Sequence, residues 1–263
     1  MRIISSRALN HGVTETLFSH DDIPGVLWRP AGAAGPRPLV LVGHGGGQHK
    51  KAPGAVGPAL RFVTWCGFAA AAIDAPNHGD RVPGPEHQAL VAEIRAKAEA
   101  GEPIGPHMGR YNAALATQAV PDWQAVLDAL QKLELPGSDP AGGSADRAGT
   151  GPVAGGPVGY YGVSMGAGLG IPLVAAEPRI TAAVFGLAAS APLMELAGRI
   201  TVPVQFLVQR DDEMVPCDSA LALFDAFGAR EKTLHANPGG HGELPRFEAD
   251  SAALFFGRHL TPA

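Results

Sequence analysis

The stretch that decides the fold of this chain is VGYYGVSMG, residues 158–166. It opens with apolar residues typical of a buried β-strand, and a helix-compatible segment follows it. Ser164 stands between Gly162 and Gly166, each two residues away. A G-x-S-x-G sequence between a strand and a helix indicates a sharp turn that raises the serine oxygen above the edge of a sheet. We expect glycine at both flanking positions because side chains there would collide with the neighbouring strand and helix.

The pentapeptide is weak evidence alone, because 35 of the 263 residues are glycine. A nucleophilic serine also needs a base and a carboxylate that orients it. A β-branched run at 204–208 predicts a buried strand, and the adjacent Asp211 and Asp212 follow it as candidate carboxylates. After the last predicted strand, His241 lies in a Gly-rich loop that could reach over the sheet. We expect His241 to be the base, with His235 inside the strand as the alternative.

The sequence GHGGG, residues 43–47, follows another predicted strand. A tetrahedral intermediate needs backbone N–H donors aimed at its oxyanion, and glycines allow the backbone to approach it closely. The expected donors are the N–H groups of Gly46 and Met165, with Gly45 as a further candidate. A phosphate-binding loop would need Lys followed by Ser or Thr in G-x-x-x-x-G-K-[ST], and the lysines here are followed by alanine.

Strand-like and helix-like stretches alternate along the chain. This rhythm predicts one α/β domain over residues 1–263, with a mostly parallel twisted sheet of about eight strands and helices on both faces. The first two strands are expected to be antiparallel at one edge. Predicted strands lie near 13–18, 26–29, 38–43, 68–74, 157–163, 180–186, 203–209 and 231–235. Predicted helices lie near 54–66, 121–134, 165–177, 217–227 and 245–258, and Pro121 suits a first helical position.

Two segments exceed a minimal α/β domain. Residues 82–120 are expected to leave the carboxyl edge of the sheet, where ligands bind, and to form a small lid; a plain surface excursion is the alternative. Within residues 82–120, we expect a helix over residues 86–100 and a loop over residues 101–109. The Gly/Pro/Ala-rich segment 136–157 is expected to be a loop remote from the site. Candidate substrate-lining residues are His44, His107, Met108 and Tyr111.

With these motifs in the order Ser, Asp, His, the chain resembles the α/β-hydrolase superfamily over roughly residues 13–260. Within it the chain is most similar to small bacterial serine esterases of the dienelactone-hydrolase-like type. The resemblance implies Ser164 as nucleophile and His241 as base. Family members often read Asp-x-x-Val-Pro, a register that starts at Asp212 and favours it over Asp211. Dienelactone hydrolases proper carry cysteine as nucleophile, so serine here implies plain ester hydrolysis.

The expected function is therefore a serine hydrolase that cleaves a carboxylic ester or thioester through an acyl-enzyme. The same residues would also support C–C bond, lactone or amide hydrolysis, or acyl transfer or cyclisation in a biosynthetic pathway. A non-catalytic ligand-binding protein on the same scaffold is an alternative of another class. No cofactor is expected, and no metal, because His44 and His49 lack carboxylate or cysteine partners at ligand spacing.

Composition narrows the class of partner. The net charge is −5 and no basic cluster exceeds two residues, which argues against nucleic acid. Apolar runs are broken well before 18 residues, so no membrane span is expected. With no visible secretion signal and only two cysteines, the expected location is cytoplasmic. The Ala, Gly and Pro content is typical of a GC-rich bacterial genome. The expected partner is a small, ester-like molecule with a largely apolar group.

Overall fold

Nine strands form one sheet in the computed structural model, which describes residues 1–33, 35–102, 104–135 and 154–261. The strands are β1 (Arg2–Leu9), β2 (Val13–His20), β3 (Ile23–Pro30), β4 (Arg37–Gly43), β5 (Ala69–Ile73), β6 (Ala154–Val163), β7 (Ile180–Gly186), β8 (Val204–Gln209) and β9 (Lys232–Asn237). Their order across the sheet is β1-β2-β3-β5-β4-β6-β7-β8-β9. Strands β1, β2 and β3 pair antiparallel, and β3 pairs antiparallel with β5. The remaining pairs, β5–β4, β4–β6, β6–β7, β7–β8 and β8–β9, are parallel.

The predicted mostly parallel α/β sheet is confirmed, with one strand more than expected. The additional strand, β1, lies at the edge of the sheet, and nearly all of its residues are exposed. An exposed edge strand has no buried face and therefore no apolar alternation, which is the signal that predicts strands from sequence. Its sequence, RIISSRAL, lacks that alternation.

Seven helices cover the two faces of the sheet in the described chain. They are α1 (Pro53–Cys66), α2 (Pro85–Glu99), α3 (Gly105–Lys132), α4 (Met165–Ala176), α5 (Ala191–Gly198), α6 (Cys217–Ala226) and α7 (Phe247–Leu260). Alternate side chains of a strand point to opposite faces. Leu41 of β4 accordingly joins the core under α3 to α6, and Val42 joins the core under α1 and α7. Burial on both faces explains the continuous apolar runs of the central strands.

Helix α3 starts at Gly105. The predicted helix start at Pro121 is therefore wrong, and the predicted loop at 101–109 is wrong from Gly105 onwards. Pro121 lies inside the helix on its exposed side. The residues before it are buried against the start of α4, in a small apolar cluster that includes Tyr111, Leu115 and Met165. Tertiary packing therefore extends the helix through a proline, a residue that local sequence rules place at a helix start.

Most of the expected loop 136–157, residues 136–153, lies outside the described residues, and β6 begins at Ala154. Helix α5 was not predicted; it follows β7 and buries Leu193 and Ala197. Among the helices that the structure describes, none combines the length and apolar character needed to cross a membrane.

Candidate active site

The turn between β6 and α4 holds Ser164 in an unusual backbone conformation, with φ 57° and ψ −125°. Its N–H donates to the carbonyl of Gly186, 2.9 Å away. A Cβ atom at Gly162 would lie 2.5 Å from the carbonyl oxygen of Gly166. One at Gly166 would lie 2.7 Å from the carbonyl oxygen of Gly43. Both flanking positions are therefore too close to backbone for any side chain, as the sequence predicts.

Three side chains from different loops meet above the sheet. His241 Nε2 lies 2.9 Å from Ser164 Oγ, and His241 Nδ1 lies 2.8 Å from Asp212 Oδ2. A carboxylate only accepts hydrogen bonds, so Nδ1–H donates to Asp212 and Nε2 accepts from the Ser164 hydroxyl. The Asp212 side chain is 2% exposed. Its other oxygen accepts the N–H groups of Met214 and Val215, both at 2.8 Å, which fixes the orientation of the carboxylate.

The alternative candidates for base and carboxylate lie elsewhere. Asp211 accepts the N–H of Gly239 at 2.9 Å. His235 Nδ1 lies 2.8 Å from an oxygen of Glu248, which is buried at the start of α7. The structure therefore brings Asp212 and His241, rather than Asp211 and His235, to the serine.

The loop after β8 holds the loop after β9 through the main chain. Gln209 Nε2 donates to the carbonyls of Pro238, at 3.1 Å, and Gly240, at 3.3 Å. Glu213 Oε2 accepts the N–H of His241 at 3.0 Å, and this bond lowers the pKa of the Glu213 carboxyl below its ordinary value. Sequence reasoning missed these contacts, although Glu213 stands next to Asp212. They position the main chain of His241 independently of its ring.

The predicted oxyanion donors lie next to one another beside the serine. Met165 is the first residue of α4, so its N–H has no carbonyl partner four residues earlier, and it sits at the positive end of the helix dipole. A Cβ at Gly46 would lie 3.9 Å from Met165 Cβ. Gly45, Gly46 and Met165 all line the cavity in front of Ser164. The loop after β4 and the first turn of α4 therefore meet at the cavity wall beside the serine.

His44 has a different place from the one predicted for a substrate-lining residue. It is 3% exposed, its Nδ1–H donates to the carbonyl of Gly45 at 2.8 Å, and its Nε2 accepts the N–H of Ala75 at 3.0 Å. Burial lowers the pKa of His44 to about 4. Because both ring nitrogens are used by the main chain, the neutral ring ties the loop after β4 to the turn after β5.

A buried ion pair braces the same two loops. Asp74 is fully buried, and its carboxylate lies 2.6 Å from Lys50 Nζ while it also accepts the main-chain N–H groups of Lys50 and Asp80. A Cβ at Gly79 would lie 2.2 Å from the Asp74 carboxyl carbon, so the turn wraps closely around this side chain. This pair could not be predicted from the sequence, because its members are 24 residues apart.

A cavity of about 1280 Å³ opens in front of Ser164. Met108 and Tyr111 of α3 line it, and burial raises the pKa of Tyr111 to about 12. His107 does not line it; its Nδ1 lies 3.2 Å from Arg110 Nη2 at the surface. The described residues contain no group of three or more His, Cys, Asp or Glu that could hold a metal ion.

The residues that line the cavity fall into two sets according to the elements that supply them. One set, from α2 and α3, is largely apolar and consists of His87, Val91, Ile94, Met108 and Tyr111. The other set, from α1, the start of α7 and the turn after β1, is more polar and includes Asn10, His11, Arg61, Thr64, Trp65 and Arg246. We call these the α2–α3 arm and the α1–α7 arm. Ser164 and His241 line the same cavity.

Comparison with solved structures identifies the family. A PEG-bound cold-adapted esterase from an Arctic intertidal metagenomic library is 32% identical over 97% of this chain and 97% of that chain, with a TM-score of 0.72. The native structure of a cold-adapted esterase from such a library matches at 29% identity over 99% and 100% of the chains, with a TM-score of 0.69. An acetyl xylan esterase from Paenibacillus sp. R4 shares the fold at 17% identity, over 98% of this chain and 88% of that chain, with a TM-score of 0.64. No protein-family model and no curated protein matches. Identity above 30% over nearly the full length of both chains shows that this protein belongs to the esterases of the α/β-hydrolase superfamily.

Proposed function

We propose that the protein is a serine carboxylesterase that works through a Ser164–His241–Asp212 triad and an acyl-enzyme. The observation that carries the proposal is the pair of hydrogen bonds made by His241, 2.9 Å to Ser164 Oγ and 2.8 Å to Asp212 Oδ2. A nucleophile, a base within reach of its proton and a carboxylate that orients the base are the three parts of this mechanism.

In the first half of the reaction, His241 Nε2 takes the proton of the Ser164 hydroxyl while the serine oxygen attacks the ester carbonyl carbon. The carbonyl oxygen becomes an oxyanion and accepts hydrogen bonds from the N–H groups of Gly46 and Met165, with Gly45 adjoining. His241 then passes its proton to the leaving alcohol oxygen as the C–O bond breaks. The acyl group remains on Ser164.

In the second half, His241 takes a proton from water, and the hydroxyl oxygen attacks the acyl carbon through the same oxyanion site. His241 then returns the proton to Ser164, which frees the carboxylic acid. Asp212 keeps Nδ1 protonated throughout and stabilises the imidazolium that forms in each half. Its buried, doubly hydrogen-bonded carboxylate suits this constant role.

We also propose that the 82–120 segment, which contains α2 and the first half of α3, acts as a lid over the α2–α3 arm. Two observations support this. Helix α2 has no fully buried residue, and it packs on Tyr111 and its neighbours through the partly buried Leu90, Val91 and Ile94. A helix attached through so little buried apolar surface can open at small energetic cost.

The test is intact-protein mass after exposure to a fluorophosphonate, alongside turnover of p-nitrophenyl acetate. We expect one adduct on the wild type and on Ser5→Ala, a control at an exposed serine of β1, and none on Ser164→Ala. Ser164→Ala should keep its circular dichroism spectrum and lose on the order of 10³-fold or more in kcat. A Ser164→Ala variant that keeps most of its turnover would refute the mechanism.

Other outcomes lead to other functions. An adduct without ester turnover would keep an activated serine but point to thioester, C–C or acyl-transfer chemistry on the same residues. No adduct on the wild type would contradict an assembled triad and favour a ligand-binding protein.

A further inference from the structure

The charge of the cavity wall is opposite in sign to that of the whole chain. The chain has 25 acidic residues and 20 Lys or Arg, for a net charge of −5. Among the described residues that line the cavity there is no Asp or Glu. The lining includes two arginines, Arg61 and Arg246, and the histidines His11, His78, His87 and His241. Such a wall favours neutral or anionic ligands over cationic ones.

Three carboxylates next to the wall are engaged with other groups. Asp212 and Glu213 accept hydrogen bonds from His241, through its ring and its main-chain N–H. Asp250 lies 2.6 Å from Arg61 Nε, which neutralises that guanidinium in part. Within the described residues Arg246 is in no ion pair, and its side chain is exposed. Arg246 is therefore the cation of the wall that has its charge available for a ligand.

Two arginines, Arg61 and Arg246, and the indole of Trp65 line the α1–α7 arm. Arg61 and Trp65 are four residues apart on α1, so they share one face of the helix. The Arg61–Asp250 ion pair joins this face to the first turn of α7, which Arg246 precedes by one residue. Arg61 Cζ lies 4.5 Å from the centre of the Trp65 ring, and Trp65 is 52% exposed. The stacked guanidinium holds the indole in place as a flat, accessible surface.

The chemistry of the proposed mechanism determines which half of the ester this arm receives. The leaving alcohol oxygen must take its proton from His241 Nε2, so the alcohol lies on the His241 side of the scissile bond. The chain runs from His241 through Gly242, Leu244 and Pro245 to Arg246, and all of these line the cavity. The alcohol therefore points into the α1–α7 arm, and the acyl group into the α2–α3 arm.

On the basis of the proposed esterase function, we propose that the α1–α7 arm is a subsite for a planar, anionic alcohol, with its ring against Trp65 and its carboxylate near Arg246. The chemical class is the acyl ester of a hydroxylated aromatic carboxylic acid. An aromatic ring gains stacking area on an exposed indole, and a carboxylate matches the planar donor fork of arginine.

The experiment compares four esters by kcat/KM: phenyl acetate, 4-acetoxybenzoate, its neutral amide 4-acetoxybenzamide, and monophenyl succinate, whose carboxylate is on the acyl side. We expect the wild type to prefer 4-acetoxybenzoate over 4-acetoxybenzamide by about 2–5-fold at low ionic strength, the range of an exposed charge pair. The preference should fall as NaCl is raised.

Three variants locate the effect. Arg246→Gln should abolish the preference for 4-acetoxybenzoate over 4-acetoxybenzamide. Trp65→Ala should raise KM for both para-substituted esters. Arg230→Gln, at an exposed arginine outside the cavity lining, should behave as the wild type.

The result that overturns the inference is phenyl acetate turnover with no preference for the anionic ester, or a preference that survives Arg246→Gln. A preference for monophenyl succinate would also overturn it, because it places the charge on the acyl side. Failure of the proposed function looks different, since phenyl acetate and all the other esters would then be inert with the wild type.

Discussion

Ser164 adopts a backbone conformation, φ 57° and ψ −125°, that an L-residue holds only when its surroundings impose it. The surroundings here are backbone atoms. The carbonyl of Gly43 and the turn at Gly166 approach so closely that a Cβ at Gly166 would lie 2.7 Å from the Gly43 oxygen. The serine can therefore hold this position only because Gly166 beside it has no side chain.

We expect Gly166→Ala to lower the free energy of unfolding by about 1–3 kcal/mol, the usual cost of inserting an atom into a close-packed site. The control is Gly257→Ala inside α7, where a Cβ meets nothing within 4 Å. Gly257→Ala should raise the free energy of unfolding by about 0.5–1 kcal/mol, since alanine is the better helix former. Urea unfolding of both variants measures the difference, and equal shifts of the same sign would contradict the close-contact argument.

Glu213 supplies a charge as well as a hydrogen bond to His241. Its pKa lies below the ordinary value because it accepts the His241 N–H, so its ionised form contributes at neutral pH and is lost as pH falls through the folded value. Glu213→Gln keeps an acceptor but removes the charge that favours the imidazolium. We expect the acidic limb of the pH profile of kcat/KM to move to lower pH.

Glu213→Ala, in contrast, should also lower kcat, because the main chain of His241 loses its acceptor. Glu195→Gln, at an exposed position of α5, is the matched control and should leave the profile unchanged. If Glu213→Gln and Glu195→Gln gave the same profile, the electrostatic role of Glu213 would be wrong.

At the scale of elements, α2 and α3 differ in how they are held. The first half of α3 is buried against α4 through Tyr111 and Leu115, whereas α2 has only partly buried contacts. Val91 of α2 lines the cavity, and Ala96 of the same helix is exposed and outside the lining. The two positions allow one substitution to be compared on the two sides of the proposed lid.

Val91→Trp should narrow the α2–α3 arm and lower the kcat/KM ratio of p-nitrophenyl octanoate to p-nitrophenyl acetate by about tenfold, the scale on which pocket size discriminates between substrates. Ala96→Trp should leave the ratio unchanged. The p-nitrophenyl acetate, butyrate and octanoate series provides the measurement. An unchanged ratio in Val91→Trp would show that α2 does not line the part of the cavity that binds the acyl group.

At the scale of the whole molecule, the buried polar residues behind the site make stability depend on pH. The folded pKa of His44 is about 4, well below its ordinary value near 6.5, because the neutral ring is buried. The unfolded chain therefore binds the proton more readily between these values. Stability from the neutral ring is complete above about pH 6.5 and is lost as pH falls towards 4.

We expect the free energy of unfolding to fall by about 3 kcal/mol from this residue between pH 6.5 and 4. His44→Asn should be less stable at neutral pH and should show a shallower decline over the same window. Urea unfolding at a series of pH values checks both statements. Parallel slopes for the wild type and the variant would show that His44 does not carry the effect.

The sheet, most helices, the Ser164 turn and the His241 loop could be predicted from the sequence, because each depends on local information, whereas the choice of Asp212 over Asp211 came from the family resemblance. Buried strands of this fold are short apolar runs, and the turn at residues 162–166 needs glycines at fixed offsets. The predicted α/β-hydrolase resemblance is confirmed, and the structure brings the three side chains into hydrogen-bond distance. Their catalytic roles and the dienelactone-hydrolase-like subtype stay predictions.

What only the tertiary structure decided involves residues far apart in the chain. The pairing of Lys50 with Asp74, the contact of Glu213 with the His241 main chain and the burial of His44 all depend on how separate loops meet at one edge of the sheet. The start of α3 likewise depends on packing against α4 rather than on Pro121. Local propensities are set by residues a few positions apart, whereas these contacts arise only when burial of the shared core brings the loops together.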